Sequence, residues 1–435
     1  MALGEIESRK FDVVVVGAGI VGLACAYHIL KQDRACRVAI VEKAPAAGQG
    51  DTSKSVAGVR NTFTSEVNRL LSETSIDFYK HVQEDLSFDL GLDFVGYLWL
   101  LTRQLMERFE PVINYMRKQG VALRVLELSQ LSDMISRSRF AIDDSDEEAK
   151  ITGLTSIAAG LQGLKCGTIA PEKLVNFYEN EICKMGGAFH YGERVRSLIV
   201  DSLHKLRVSG EPLIWQDAKI AGVVTDHREI LADQTVIAAG SWSTQLLDPI
   251  GVDSHVRTKK RQVFTLRSPN LGTLMHSKGF NDLDVLPLTI ITPRLVYLKP
   301  NWRDESFWVG VSDHLGRPFT FEEDPRAEDA FYTHNIYPLV SYYFPDFKNV
   351  RPFSKWAGQY DMNTIDANPY VCENLGLAVV VGTSGSGLMK ADSIGRIVAA
   401  AHAKQDIAVL YGGRHFKVAR LGVETRQVEP EEFVI

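Results

Sequence analysis

The chain has 435 residues, with 48 Lys and Arg against 54 Asp and Glu, a formal charge of −6 and 45% hydrophobic residues. This length suits two domains, and the composition is that of an ordinary globular protein. No basic stripe points to nucleic acid. Cys25, Cys36, Cys166, Cys183 and Cys372 are scattered and form no zinc-type cluster, which suits a reducing cytoplasm.

The opening decamer MALGEIESRK is polar and lacks the ordered regions of a signal peptide. FDVVVVGAGIVGLACAYHIL (11–30) is long enough for a membrane span, but its residue order argues for a nucleotide-binding turn. Val13–Val16 is a β-branched strand. Gly17, Gly19 and Gly22 follow at G-x-G-x-x-G spacing and lead into a helix. Gly17 suits a tight turn, Gly19 lets backbone approach a pyrophosphate, and Gly22 lets the helix pack on its strand. The phosphates would sit at the positive end of that helix. RVAIVEK (37–43) is a second strand and brings Glu42 where an acid accepts hydrogen bonds from ribose hydroxyls. An acid there disfavours a 2′-phosphate, so NADP is not expected. With this run explained as fold, no membrane span is expected, and peripheral attachment stays open.

Residues 46–63 form a small, polar loop that lies against something, followed by a helix over about 65–83. GYLWLLT (96–102) reads as a strand, residues 103–120 as an amphipathic helix, and the acidic run 142–150 as a solvated loop. Residues 166–200 read as loop, helix with Pro171 in its first turn, Gly186–Gly187 stop, and strand. Strands and turns alternate over 205–233, and QTVIAAGSWS (234–243) is an apolar strand ending in small residues. RQVFTLR, RLVYLKP and SFWVGVS are further strands, a helix lies around 325–343, and residues 377–403 repeat strand, glycine-rich turn and helix. The ends are expected to meet in one nucleotide-binding domain (1–83, 151–245 and 351–435), with a second domain from 84–150 and 246–350.

Four stretches together resemble the FAD-dependent amine and amino-acid oxidoreductases of the D-amino-acid oxidase, glycine oxidase and sarcosine oxidase type. They are VVVVGAGIVGLACAYHIL with VEK, the loop S-x-S-x-A-G-V-R (53–60), TVIAAGSWS, and WAGQYDMNTIDANPYV through VVGTSGSGLMKADSIG (356–395). The resemblance implies an α/β fold: a Rossmann-like FAD-binding domain with a discontinuous α+β substrate domain on a mostly antiparallel sheet. It also implies that Gly17, Ala18, Gly19, Ile20 and Val21 line the pyrophosphate, that Glu42 binds ribose and that Lys43 flanks the adenosine. Ser53, Lys54 and Ser55 would lie along the ribityl chain and ring. Val195 would meet adenine, Ala239, Gly240 and Trp242 would close the adenosine side, and Gly385, Ser386, Gly387, Leu388, Met389 and Lys390 would reach the ring. A glycine turn opening the last helix supports FAD over NAD independently, since a helix start presents N–H groups to an anionic centre.

Two departures from the family stand out. Gln359 occupies the place of the cysteine that sarcosine oxidases link to flavin, and Cys372 lies well downstream, so non-covalent FAD is expected. The turn GTSGSG carries Gly385 and no arginine where glycine oxidase has one.

The expected chemistry is hydride transfer from a carbon next to nitrogen to the flavin. It needs orientation and exclusion of water and a cation for the substrate carboxylate. Arg60 is the first candidate, Lys390 the second, and Tyr297, with Tyr97 or Trp99, a candidate wall. RTKKRQ (257–262) is either a solvated strand end or a source of charge for the flavin face through Lys259 or Lys260. His276 and His314 receive no role. The reading is oxidation of a small amino acid of the sarcosine, glycine or proline type, with oxygen or a quinone- or dye-type carrier as acceptor. The alternatives are a 2-hydroxy-acid dehydrogenase resembling the L-2-hydroxyglutarate enzyme, for which no histidine falls in an evident motif, and a non-catalytic flavin-binding assembly protein.

Overall fold

The computed structural model describes residues 10–143, 145–292, 294–312 and 317–433. Phe11–Val16 lies inside an eight-stranded sheet, in the order Tyr370–Asn374, Leu377–Val381, Glu229–Ile237, Phe11–Val16, Val38–Glu42 and Ala188–Tyr191, with Ala218–Thr225 and Val195–Ser202 continuing from Glu229–Ile237. Its centre is parallel: Val16 pairs with both Val41 and Ile237, and Ile237 with Val379. Parallel strands carry helices on their faces and read as continuous apolar runs, as Val13–Val16 and Leu377–Val381 do. This register gathers Gly17, Glu42, Ala238 and Gly382 at one edge, where such sheets bind ligands.

Helix Ile20–Gln32 packs on helix Gly387–His402, joining the two ends of the chain. At Gly395 a Cβ would lie 2.5 Å from the Ala24 carbonyl oxygen, so only glycine permits this approach. Buried Asp392 ties the helices together: it meets His28 Nε2 at 2.7 Å and accepts from Arg396 Nε at 2.7 Å.

The second sheet also has eight strands, ordered Pro352–Asn363, Val256–Leu266, Ser306–Val311, Val296–Asn301, Leu288–Ile291, Tyr97–Leu101, Ala159–Gly163 and Leu123–Glu127. It is antiparallel except where Leu288–Ile291 runs parallel to Tyr97–Leu101. One face buries Leu98, Phe264, Leu298, Phe307 and Val309 beneath Tyr332–Phe347. The expected α/β architecture with a mostly antiparallel second sheet stands. The strands Ala159–Gly163 and Pro352–Asn363, which are numbered within the segments 151–245 and 351–435 assigned from sequence to the nucleotide-binding domain, pair in this second sheet.

Three local expectations need correction. The loop 46–63 contains the short strand Gly58–Arg60, paired with Cys166–Thr168. The acidic run 142–150 is not all solvated loop, because Asp146 caps helix Glu147–Thr152 and accepts from Arg139 and Tyr342. The helix expected from 325 starts at Asp329, because Glu322 and Glu328 on either side of Pro325 are held against Lys260.

Candidate cofactor and substrate site

A cleft of about 1520 Å³, open solvent at its mouth included, runs along the carboxyl edge of the first sheet to the face of the second.

At one end lie Gly17, Gly19, Ile20, Val21, Glu42, Lys43, Val195, Ala239, Gly240 and Trp242. Gly17 has φ +105°, and a Cβ on it would come 2.6 Å from the Ala238 carbonyl oxygen. A Cβ on Gly22 would lie 2.0 Å from the Gly17 carbonyl oxygen, so helix and turn touch as the glycine spacing predicts. The Glu42 carboxylate accepts from Ala18 N and Ala44 N, both at 2.8 Å, and faces the cleft. Ala18 and Gly22 themselves do not line the cleft: they hold its wall.

Glu323 closes this end. It accepts from Arg194 at 2.6 Å, Lys43 at 2.9 Å and Trp242 Nε1 at 3.0 Å, while the Lys43 ammonium lies 3.6 Å from the Trp242 ring centre. The Arg194 hydrogen bond above all holds the Glu323 carboxyl down at about 2.

The other end is walled by Lys54, Ser55, Arg261, Val263, Tyr297, Gly358, Gln359, Tyr360, Gly385, Gly387 and Leu388. Alternation along a strand puts Arg261 and Val263 on one face. Pairing aligns Arg261 with Gly358, Val263 with Gly310, and Gly310 with Tyr297. Gly310 is glycine because Tyr297 crosses it: a Cβ there would lie 2.2 Å from the phenol oxygen. The Arg261 guanidinium stacks 5.1 Å from the Tyr360 ring centre. Burial pushes the Tyr297 and Tyr360 phenols up, so both stay neutral.

Asp361 organises the glycine-rich turn, accepting from Gly382 N at 2.8 Å, Thr383 N at 3.1 Å and Thr383 Oγ1 at 2.9 Å. Asp51 accepts from Gln359 N at 2.7 Å, and burial pushes its carboxyl up to about 6. Thr52 Oγ1 accepts from Ile20 N at 3.1 Å, at the start of the first helix.

Several expected residues do not line the cleft. Ser53 is exposed and donates to Gly50 O. Ser386 donates to Thr383 O, and Met389 is in the core. Arg60 is half-buried, donating to Thr62 O at 2.6 Å, with its guanidinium 4.1 Å from the Phe63 ring centre. Lys390 is fully buried and donates to Asn68 Oδ1 at 2.5 Å. Tyr97 and Trp99 pack with Phe109 and Phe433. The cationic strand is not a solvated end, and neither Lys259 nor Lys260 lines the cleft. Lys259 is buried beside Phe319, Lys260 pairs with Glu322 and Glu328, and Arg261 is the member that enters. His314 lies outside the described residues.

Comparison with known proteins bears on this arrangement. A family model described as FAD dependent oxidoreductase matches residues 12–401. The chain belongs to the FAD-dependent oxidoreductase family. The bovine (Bos taurus) FAD-dependent oxidoreductase domain-containing protein 1 is 27% identical over 91% of this chain and 82% of that protein. Glycine oxidase of Pseudomonas aeruginosa is 24% identical over 80% of this chain and 81% of that enzyme. The L-proline dehydrogenase of P. horikoshii shares the fold, with a TM-score of 0.72 at 21% identity over 91% of this chain and 94% of that one.

The cofactor of this oxidoreductase is FAD, and the cleft fits it on its own evidence. The Gly17 cradle has no room for a Cβ, and Glu42 offers acceptors beside it. Two buried polar atoms of lining residues, Gln359 Nε2 and Ser241 Oγ, have no hydrogen-bond partner among the described residues. Buried polar atoms are normally satisfied, so these suit a polar ligand.

Proposed function

We propose that this enzyme oxidises the C–N bond of a small amino acid of the sarcosine, glycine or proline type, with FAD held non-covalently along the cleft. Bound FAD supplies the hydride acceptor, and the product is an imine that water hydrolyses. Gly17, Gly19, Ile20 and Val21 hold the pyrophosphate, with Ala18 behind them bonded to Glu42, Glu42 holds the ribose, and Lys43, Val195, Ala239, Gly240 and Trp242 the adenosine. Lys54, Ser55, Gly385, Gly387 and Leu388 flank the ring. The absence of cysteine among the described lining residues supports non-covalent attachment.

One observation carries the substrate class: the cleft that starts at Glu42 ends at Arg261, between Tyr297 and Tyr360. A guanidinium binds a carboxylate through paired charge-assisted hydrogen bonds, and the aromatic walls exclude water from the reacting carbon. Arg261 takes the anchoring part for which the sequence alone points to Arg60. The described lining residues include no histidine to act as base for an alcohol, which favours an amine over a 2-hydroxy acid. The names of the glycine oxidase and proline dehydrogenase relatives point the same way.

The test is anaerobic bleaching of the FAD-loaded protein by a panel of amino and hydroxy acids, followed by turnover with an artificial dye. Bleaching by small amino acids alone is expected. Bleaching by 2-hydroxy acids alone makes it a hydroxy-acid dehydrogenase, and no bleaching by any member leaves a flavin-binding protein without turnover.

A further inference from the structure

The segment Glu429–Phe433 returns to the start of helix Glu66–Glu84. Phe433 is fully buried between Trp99 and Phe109, at centroid distances of 5.1 and 5.2 Å. The Glu431 carboxylate then accepts from Thr64 N at 2.9 Å, Thr64 Oγ1 at 2.8 Å, Ser65 N at 3.3 Å, Phe433 N at 3.2 Å and Asn68 Nδ2 at 3.1 Å. Asn68, itself buried, accepts from Lys390 Nζ through its other atom. One amide thus connects the Glu431 carboxylate to the buried Lys390 ammonium. Lys390 belongs to the first turn of helix Gly387–His402, whose Gly387 and Leu388 line the cleft.

We propose that Glu431 is a positioning residue: acting through Asn68, it keeps Lys390 charged and in place beneath the cleft wall, and so sets the electrostatic environment of the flavin. This rests on the reading that the cleft holds FAD. The charged groups facing Lys390 come from separate elements. Arg60 on the strand Gly58–Arg60 opposes its charge, while Glu431 and Asp366 support it, and Asp366 is itself paired with Arg426. Burial, and then Arg60, bring Lys390 down to about 7, and the Glu431 charge acts against both. A cation behind the wall of the cleft would favour a reduced, anionic flavin, and neutralising Lys390 would remove that support.

The test measures the FAD midpoint potential against pH, alongside thermal stability, in wild type, E431Q, K390M and the double variant N68D/E431Q. The side-chain amide introduced by E431Q still offers an acceptor to Thr64 N, so this variant tests the charge with the cap retained. Wild type should show an inflection where Lys390 loses its proton. E431Q should move it to lower pH and lower the potential at neutral pH. K390M should abolish it, and N68D/E431Q should restore it by placing a carboxylate directly on Lys390. A melting temperature lowered in E431Q with a superimposable potential–pH curve overturns the proposal and makes the segment a structural strap. If E431Q does not fold, a K390M curve identical to wild type overturns it equally. Failure of wild type to bind FAD overturns the cleft assignment, and this proposal with it.

Discussion

At the Glu42 end of the cleft, the glycine cradle is local. Gly17, Gly19 and Gly22 sit within one strand–turn–helix unit, and Glu42 ends the next strand over. At the Arg261 end, the wall is assembled across the second sheet, from Val256–Leu266, Val296–Asn301 and Pro352–Asn363, against the glycine-rich turn after Val381. The first end is a backbone device and tolerates little variation in side-chain volume. The second is a side-chain device whose chemistry changes with one residue while the fold stays. A cofactor shared across a family and a substrate that varies within it match that division of labour.

The sharpest way to break the local end is Gly22→Val. A Cβ there already meets the Gly17 carbonyl oxygen at 2.0 Å, so the cost should approach the upper end of overpacking, about 3 kcal/mol. FAD retention through gel filtration should weaken roughly a hundredfold. Breaking the far end should leave FAD in place. Arg261→Met removes a charged hydrogen-bond partner worth about 1.5–3 kcal/mol, so kcat/KM for the amino acid should fall roughly ten- to a hundredfold with an unchanged flavin spectrum. Arg60→Met should alter melting temperature more than kcat/KM.

A third test addresses the joint between the chain ends. Burial holds His28 below its ordinary value, so in the fold it is neutral and shares Asp392 with Arg396. Below pH ~6.5 the unfolded chain binds a proton that the folded chain refuses. Stability should therefore be intact above that pH and decline by up to about 1.4 kcal/mol per pH unit as pH falls towards the folded value. Thermal melts between neutral pH and pH ~5 should show this slope, flattened in His28→Gln. The smallest effect is expected from Glu323→Gln, because Glu323 is half-exposed. Exposed ion pairs are worth about 0.2–1 kcal/mol, so FAD dissociation should quicken by no more than roughly fivefold.

The same contrast explains what is legible in the sequence. The glycine turn, its strand and helix, and Glu42 are written within one short run, because the physics that places them is local. Arg261 is hidden because both faces of Val256–Leu266 are buried, which erases the alternation that marks a half-exposed strand. Only its register with Gly358 and, through Val263, with Tyr297 brings it into the cleft. Tyr360 and Asp361 follow Gln359 directly, yet their roles depend on the distant turn at Gly382–Gly385. Arg60 reads as the anchor because it follows a flavin-type loop. Nothing near it in sequence announces that Glu431 faces it from the other end of the chain. The apolar–acidic character of Glu429–Phe433 carries no local signal of a docking site.

The central claim is that one cleft carries the cofactor at its glycine end and a carboxylate at its arginine end. Its most direct test is an equilibrium titration of the FAD-loaded protein with a small aliphatic carboxylate lacking the amine, followed by the flavin difference spectrum in wild type, Arg261→Met and Arg60→Met. The expected result is saturable perturbation in wild type, at least about tenfold weaker binding in Arg261→Met and little change in Arg60→Met. Unchanged binding in Arg261→Met, with loss in Arg60→Met, would contradict it.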